Sequence, residues 1–293
     1  LSGARGAAIV VGMSAAQVRT VRTILELPTH SPAPGFTANS LRGGANFPLD
    51  PFLSFDHFRM SQPTFPPHPH AGFSAVTVMF EDSPGGFVNR DSLGDVSTIG
   101  PGALHWTQAG RGMMHEEVPE RRGVECHGLQ IFVNLRIAEK LIAPRAFHVD
   151  AAAVPVVRTP EGARVRVLVG AFEDRRAALD ELSTPVLLLD VHLDPGGRVT
   201  IPVDRDATAF ALAIAGSGDT GGAAMQGDTA VSFAEDGDAV ALAAGPGGLH
   251  VVVASGAPIR ESVVFGGPFA MGSREAVEDA YARYRRGDMG RLV

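Results

Sequence analysis

Short apolar runs rich in Val, Leu, Phe and Thr recur along the chain: "AVTVMF", "GLQIFVNL", "VRVLVG", "VLLLDVHL", "AFALAIAG" and "LHVVVA". Thirty-five glycines and 21 prolines punctuate them, so each run ends in a turn signal before a helix could form. Short strands with frequent turns predict an all-β sandwich or barrel. A helical period holds clearly only in "SREAVEDAYARYRRG". There Ser273 can cap, Glu275 sits in the positive first turn, Ala276, Val277, Ala280, Tyr281 and Tyr284 make a stripe, and Gly287 stops it. A shorter helical candidate is "DRRAALDEL", residues 174–182, and "QVRTVRTILE" is the first segment with structural promise.

Sliding the chain by 135 residues lays "GALHWTQAGRGMMHEEV" (102–118) on "GDAVALAAGPGGLHVVV" (237–253) with six identities in seventeen positions, His115 on His250 among them. The same shift puts Pro67 on Pro202 and the strand that begins at Phe73 over "TAFALAIAG". Two tandem β-lobes follow: a tail over 1–14, a first lobe over 15–145, a second over 146–272 and a terminal helix in 273–293. In this alignment His68, His70 and Glu117 face Val203, Arg205 and Val252, which leaves only His250 in the second copy.

Composition narrows the class. With 293 residues, 45% hydrophobic, the chain can bury a sizeable core. Net charge is −7 and no polybasic block occurs, so direct nucleic-acid binding and anionic lipid are not expected. The single cysteine, Cys126, has no intrachain disulfide partner, which suits a reducing cytoplasm. The longest uncharged run, 239–259, carries Gly245-Pro246-Gly247-Gly248 in its middle, so no membrane span is expected. Residues 1–12, ahead of Met13, have too short an apolar part for a signal peptide, and an upstream start or an expression remnant is the expectation.

The chemistry concentrates in "FPPHPHAGFSAV". In an extended strand, residues two apart share a face, so His68 and His70 project together while Pro69 fixes the backbone between them. Two neutral imidazoles held this way are half of a metal site. His115 and Glu117 repeat the spacing 45 residues after His70, enough chain for a strand, a hairpin and a return. The competing reading of either pair alone is a solvated polyproline-like loop. His127 reads as a core histidine or one bonded to a ligand, Cys126 and Trp106 as packing, and His192 as core or exposed.

Longer stretches have a familiar look. "FPPHPHAGFSAVTVMFED", "NRDSLGDVSTIGPGALHWTQAGRGMMHEEVP", "HGLQIFVNL", "LDPFLSFDHF" and "GGPFAMGSREAVEDAYARYRRGDMG" resemble the pirin family of bicupins, over roughly residues 15–293. The resemblance implies two tandem antiparallel jelly-roll barrels with a C-terminal helix as a clasp. It also makes His68, His70, His115 and Glu117 the ligands of one metal, with Glu116 at a variable position. Such a donor set leaves about two vacant positions and suits Fe(II), with Mn, Ni, Cu or Zn able to compete.

The implied activity is a quercetinase-like dioxygenation of flavonols, with Glu117 also accepting the substrate's hydroxyl proton. The alternative is an iron- or redox-sensing regulator that binds a protein partner; a monomer is the default for this architecture. Four departures from the family pattern bear on pocket shape and charge: His105 for a common glutamine, Phe132 for a frequent tryptophan, Ala71 for the usual arginine, and the altered hairpin "EDSPGG".

Overall fold

The computed structural model describes residues 16–179 and 181–292; the tail over 1–14, with the expectation for 1–12, lies outside them. The strands that build the site and the lobe interface are, in the first half, β1 (Val21–Glu26), β2 (Phe36–Arg42), β3 (Phe52–Met60), β4 (His68–His70), β5 (Phe73–Met79), β6 (Phe87–Asp91), β7 (Leu104–Gln108), β8 (Met113–Pro119), β9 (Cys126–Asn134) and β10 (Arg145–Val149). In the second half they are β11 (Ala163–Val169), β12 (Val186–Leu193), β13 (Arg198–Pro202), β14 (Thr208–Thr220), β15 (Thr229–Phe233) and β16 (Ala239–Gly256), followed by α1 (Arg274–Arg286). Each of the six apolar runs singled out above falls on a strand, three of them reaching one residue past its end.

The first lobe is a seven-stranded antiparallel sheet in the order β10-β7-β5-β9-β3-β2 and Thr29–Ala33, faced by a four-stranded sheet, β4-β8-β6 and Val96–Ile99. The second lobe centres on a nine-stranded sheet with β14, β16 and β12 in its middle. The lobes meet sheet on sheet. Phe52 and Phe55 of β3 pack edge-on against Phe210 of β14 at 5.6 and 5.0 Å between centroids, inside a core shared by both halves. Burying a phenylalanine there is worth about 1.5–3 kcal/mol.

Each end of the described chain packs on the far lobe. β1 pairs with β15, and the buried Arg19 guanidinium donates to the carbonyls of Gly237, Ala207, Asp204 and Arg205. The α1 helix is capped by Ser273, whose hydroxyl accepts from Ala276 N, and stopped by Gly287 at φ 82°. Its buried Val277 and Ala280, with Phe269, Met271 and Met289, cover Ala71 behind β4.

The helix expected over 174–182 is not formed. Ala171–Phe172 and Arg175–Arg176 instead make a tight hairpin, closed by Ala177 N donating to Gly170 O; Asp180 lies outside the described residues. A nine-residue helix is marginal by itself, and the hairpin is anchored through buried Phe172 and Ala177. Among the described residues no helix is long and apolar enough to cross a membrane.

Candidate metal centre

β4 is three residues long and pairs antiparallel with β8, placing His68 opposite His115 and His70 opposite Met113. The period of two turns His68, His70, His115 and Glu117 toward the space between the two sheets. His68 Nε2 and His70 Nε2 are 3.2 Å apart, and the His115 ring lies 4.7 and 4.8 Å from theirs. One donor atom from each of the three falls within 4.8 Å of the others. His68 Nδ1 contacts Pro66 O at 2.9 Å and His70 Nδ1 contacts Pro268 O at 3.4 Å. A carbonyl only accepts, so each Nδ1 carries the proton and each Nε2 presents its lone pair inward.

Burial makes this set electron-rich and short of a cation. Desolvation pulls His70 down to about 3, His115 well below the usual histidine range and His68 down as well, so all three are neutral near pH 7. Both ring nitrogens of His115 are buried without a hydrogen-bond partner. Burial pushes Glu117 up to about 7, against a bond from Thr77 Oγ1 at 2.6 Å. Neutral imidazoles with unsatisfied lone pairs beside a carboxyl poised to ionise fit a divalent metal ion. The geometry joins the three histidines directly, and Glu117 lines the same cavity one step away.

Thr77 and Gln130 were not foreseen. Thr77 Oγ1 lies 2.6 Å from Glu117 Oε2 and 3.0 Å from Gln130 Oε1, yet a hydroxyl has one hydrogen. With Glu117 protonated, Glu117 donates to Thr77 and Thr77 to Gln130. With Glu117 ionised, Thr77 turns its hydrogen to the carboxylate. A polar residue in the middle of the buried strand "AVTVMF" is the signal that marks Thr77.

The three histidines and Glu117 line a cavity of about 490 Å³. Its walls are mainly apolar, with Phe36, Phe58, Phe65, Phe87 and Phe132, while Ser40, Arg42, Asp56 and Gln130 add polar groups. Arg42 Nη2 donates to both carboxylate oxygens of Asp56, at 2.8 and 3.1 Å. Volume and lining suit a flat aromatic molecule.

Two profile matches cover most of this architecture: the family model described as pirin spans residues 36–133, and that of the pirin C-terminal cupin domain spans 188–290. Mouse pirin is 36% identical over 247 residues, 83% of either chain. The chain belongs to the pirin family. Its fold is an all-β bicupin with one C-terminal helix. A Pseudomonas aeruginosa protein named a putative quercetin 2,3-dioxygenase is 33% identical, covering 91% of this chain and 97% of that one. A crystal structure of quercetin 2,3-dioxygenase from Acinetobacter baumannii superposes with a TM-score of 0.84 at 24% identity, over 94% of this chain and all of the other.

Of the four departures from the family pattern, Phe132 lines the cavity. Ala71 does not: it is fully buried beneath the C-terminal segment, bridged to Phe269, and its carbonyl accepts from Ala270 N. His105 is buried on β7 outside the cavity lining, and "EDSPGG" supplies Asp82 to His127 of the same lobe and Glu81 to Arg164 across the lobe interface. Glu116 points away from the histidines and pairs with Arg90. Cys126 is buried and pushed up to about 11 by desolvation, in keeping with inert packing.

The equivalence of His115 with His250 is overturned by the register. In the first lobe β5 lies between β9 and β7, with Phe73 opposite Asn134; in the second, β14 lies between β16 and β15, with Thr208 opposite Gly256. The end of β16 is therefore the counterpart of β9, and His250 belongs there, paired with His192 of β12. A fixed shift fails because the second lobe has a shorter connection after β14. The counterparts of β4 and β8 are β13 and the start of β16, "RVTIP" and "AVALAA", which hold no imidazole or carboxylate. The donor set is thus absent from the second lobe for a different reason than the alignment suggested. His192 and His250 instead stack at 4.0 Å over the buried Asp190, which His250 Nε2 contacts at 2.6 Å and Arg166 neutralises at 2.7 Å.

Proposed function

We propose that this chain is a metal-dependent dioxygenase of quercetin 2,3-dioxygenase type, acting on flavonol-like substrates. The observation that carries the reading is the convergence of three neutral imidazoles and a carboxyl poised near 7 on the wall of an aromatic cavity. The name of the Pseudomonas aeruginosa relative supports it. His68, His70, His115 and Glu117 would hold one divalent ion, Fe(II) in first place and Mn, Ni, Cu or Zn as competitors. Bound there, the ion supplies Lewis-acid and redox chemistry for a substrate and dioxygen.

The chain's own residues do the rest. Glu117 accepts the flavonol hydroxyl proton, and its bond to Thr77, backed by Gln130, steadies the carboxyl in either protonation state. Phe36, Phe58, Phe87 and Phe132 hold the planar rings and exclude water. Both oxygen atoms enter the products, the central ring opens and carbon monoxide leaves, so no external reductant is needed. A regulator that only senses iron needs no aromatic cavity of this size, which is why catalysis is favoured. Oxygen consumption and carbon monoxide release are measured with flavonols after anaerobic loading of each metal. Stoichiometric release with at least one metal is expected, and no turnover with any of them removes the enzyme reading.

A further inference from the structure

Behind the cavity, a chain of four side chains runs across the lobe interface. Asp228, in the turn before β15, contacts His57 Nδ1 at 2.6 Å; His57 Nε2 lies 2.8 Å from His127 Nε2; His127 Nδ1 lies 3.0 Å from Asp82 Oδ1. The two imidazoles are 6% and 3% exposed, so water does not complete their bonding. Ionised carboxylates only accept, so each of the three bonds needs one hydrogen on a ring nitrogen. Two neutral imidazoles bring two hydrogens. The third bond requires one more proton, shared between His57 and His127.

The geometry separates a proton from a metal ion. The His57 and His127 centroids are 5.0 Å apart, about the sum of the 2.8 Å nitrogen separation and two ring radii, so the facing nitrogens meet head on. At His68 and His70 the nitrogens are farther apart, 3.2 Å, yet the centroids are closer, 4.8 Å. Lone pairs there converge on a point beside the line joining them, as metal ligands do.

We propose that His57 and His127 form a one-proton site that ties the second lobe to the first and sets the packing of the cavity wall. The link is one of alternation: β3 and β9 turn His57 and His127 to the interface, and Asp56, Phe58, Gln130 and Phe132 to the cavity. This goes beyond the proposed oxygenase chemistry and is independent of it. The groups that face the pair are Asp82 and Asp228 at its ends and Arg59 of β3, which is ion-paired at 2.6 Å with Glu125 just ahead of β9. Asn39 of β2 stands beside Asp228 and helps to hold its carboxyl low. From the second lobe, His250 packs on the far side of Phe80, with Asp190, Arg166 and His192 behind it. Burial holds His127 below the usual histidine range; burial also acts on Asp228, but His57, Asn39 and Arg59 together outweigh it and hold that carboxyl low.

The test uses the full chain, loaded with diamagnetic Zn(II) and labelled with ¹⁵N in histidine. Ring protonation and the nitrogen–nitrogen coupling across the hydrogen bond are followed by NMR from pH 5 to 9. The two rings are expected to lose one proton in a single shared step, with loss of the coupling. Amide exchange, corrected for its intrinsic pH dependence, should then rise about tenfold or more in 226–230 and at Gln130 and Phe132, as an interface hydrogen bond to a charged group is lost. In His127→Gln the step and the pH-dependent part of the exchange disappear. Independent titration of the rings, two neutral rings throughout, displacement of the coupling by a second zinc ion, or exchange at Gln130 and Phe132 that ignores the step would each overturn the proposal. If His127→Gln does not fold, the wild-type titration and exchange decide it alone.

Discussion

Replacing Thr77 by valine removes the hydroxyl that donates to Glu117 while keeping its shape. That bond is 2.6 Å long and is the force that opposes burial at Glu117. A hydrogen bond to the charged carboxylate is worth about 1.5–3 kcal/mol and the one made by the neutral carboxyl about 0.5–1.5, so the difference converts to an upward shift of about one pH unit in the ionisation of Glu117. The consequence is readable because the other donors do not titrate in the same window: His70 sits at about 3, and His115 and His68 are also held down by burial. Glu117, at about 7, then controls the pH dependence of metal binding. Below its ionisation point the apparent affinity falls about tenfold per pH unit.

Metal affinity measured from pH 5 to 9 should level off near pH 7 in the wild type and about one unit higher in Thr77→Val. At pH 7, where the wild-type carboxyl is half ionised, the variant should bind about fivefold more weakly, and about tenfold more weakly at lower pH. Glu117→Gln should bind weakly with no such slope. Superimposed wild-type and Thr77→Val profiles, or a Glu117→Gln profile with the wild-type slope, would refute the role given to this carboxylate.

Lys140 is 1% exposed and donates to Gly72 O, Asn134 Oδ1 and Ala270 O, fastening the C-terminal segment behind His70. Lys140→Met should cost about 3 kcal/mol or more in urea denaturation, because three buried acceptors lose their donor; a change inside ~0.5 kcal/mol would contradict that. Burial holds His105 down to about 4, whereas an unfolded histidine takes a proton near 6.5. The unfolded state therefore binds more protons between these values, and stability is lost as pH falls from about 6.5 to 4, by about 3 kcal/mol from His105 alone. His105→Gln should flatten the metal-free urea midpoint over that range, and an unchanged slope would assign the acid sensitivity elsewhere. His250→Ala should leave metal stoichiometry intact, since its ring bonds Asp190 and not the donor set; loss of the ion would restore a catalytic role to the second lobe.

Much of the site could be read from spacing. A strand puts residues two apart on one face, so "HPH" and "HEE" announced two pairs, and the pairing of β4 with β8 brings His68 opposite His115. What lay hidden depends on partners far away in sequence. Thr77 meets Glu117 across 40 residues, Lys140 meets Ala270 across 130, and His57 meets Asp228 across 171. The duplicated lobe was visible, but its register was not: a fixed offset cannot sense a shortened connection, so His250 was laid on His115 while it belongs to the counterpart of β9. The segment 174–182 shows the same limit locally. Its helical period is outweighed by a hairpin whose anchors, Phe172 and Ala177, straddle its start.

The central claim is that one divalent ion sits among His68, His70 and His115 with Glu117 beside it. Anomalous diffraction at the iron edge, from crystals grown after anaerobic loading with Fe(II), tests it most directly. One peak about 2.1 Å from the Nε2 atoms of His68 and His70 and from a ring nitrogen of His115 is the predicted result. A fully loaded crystal whose peak lies elsewhere, at Asp190, His192 and His250 for example, would contradict it.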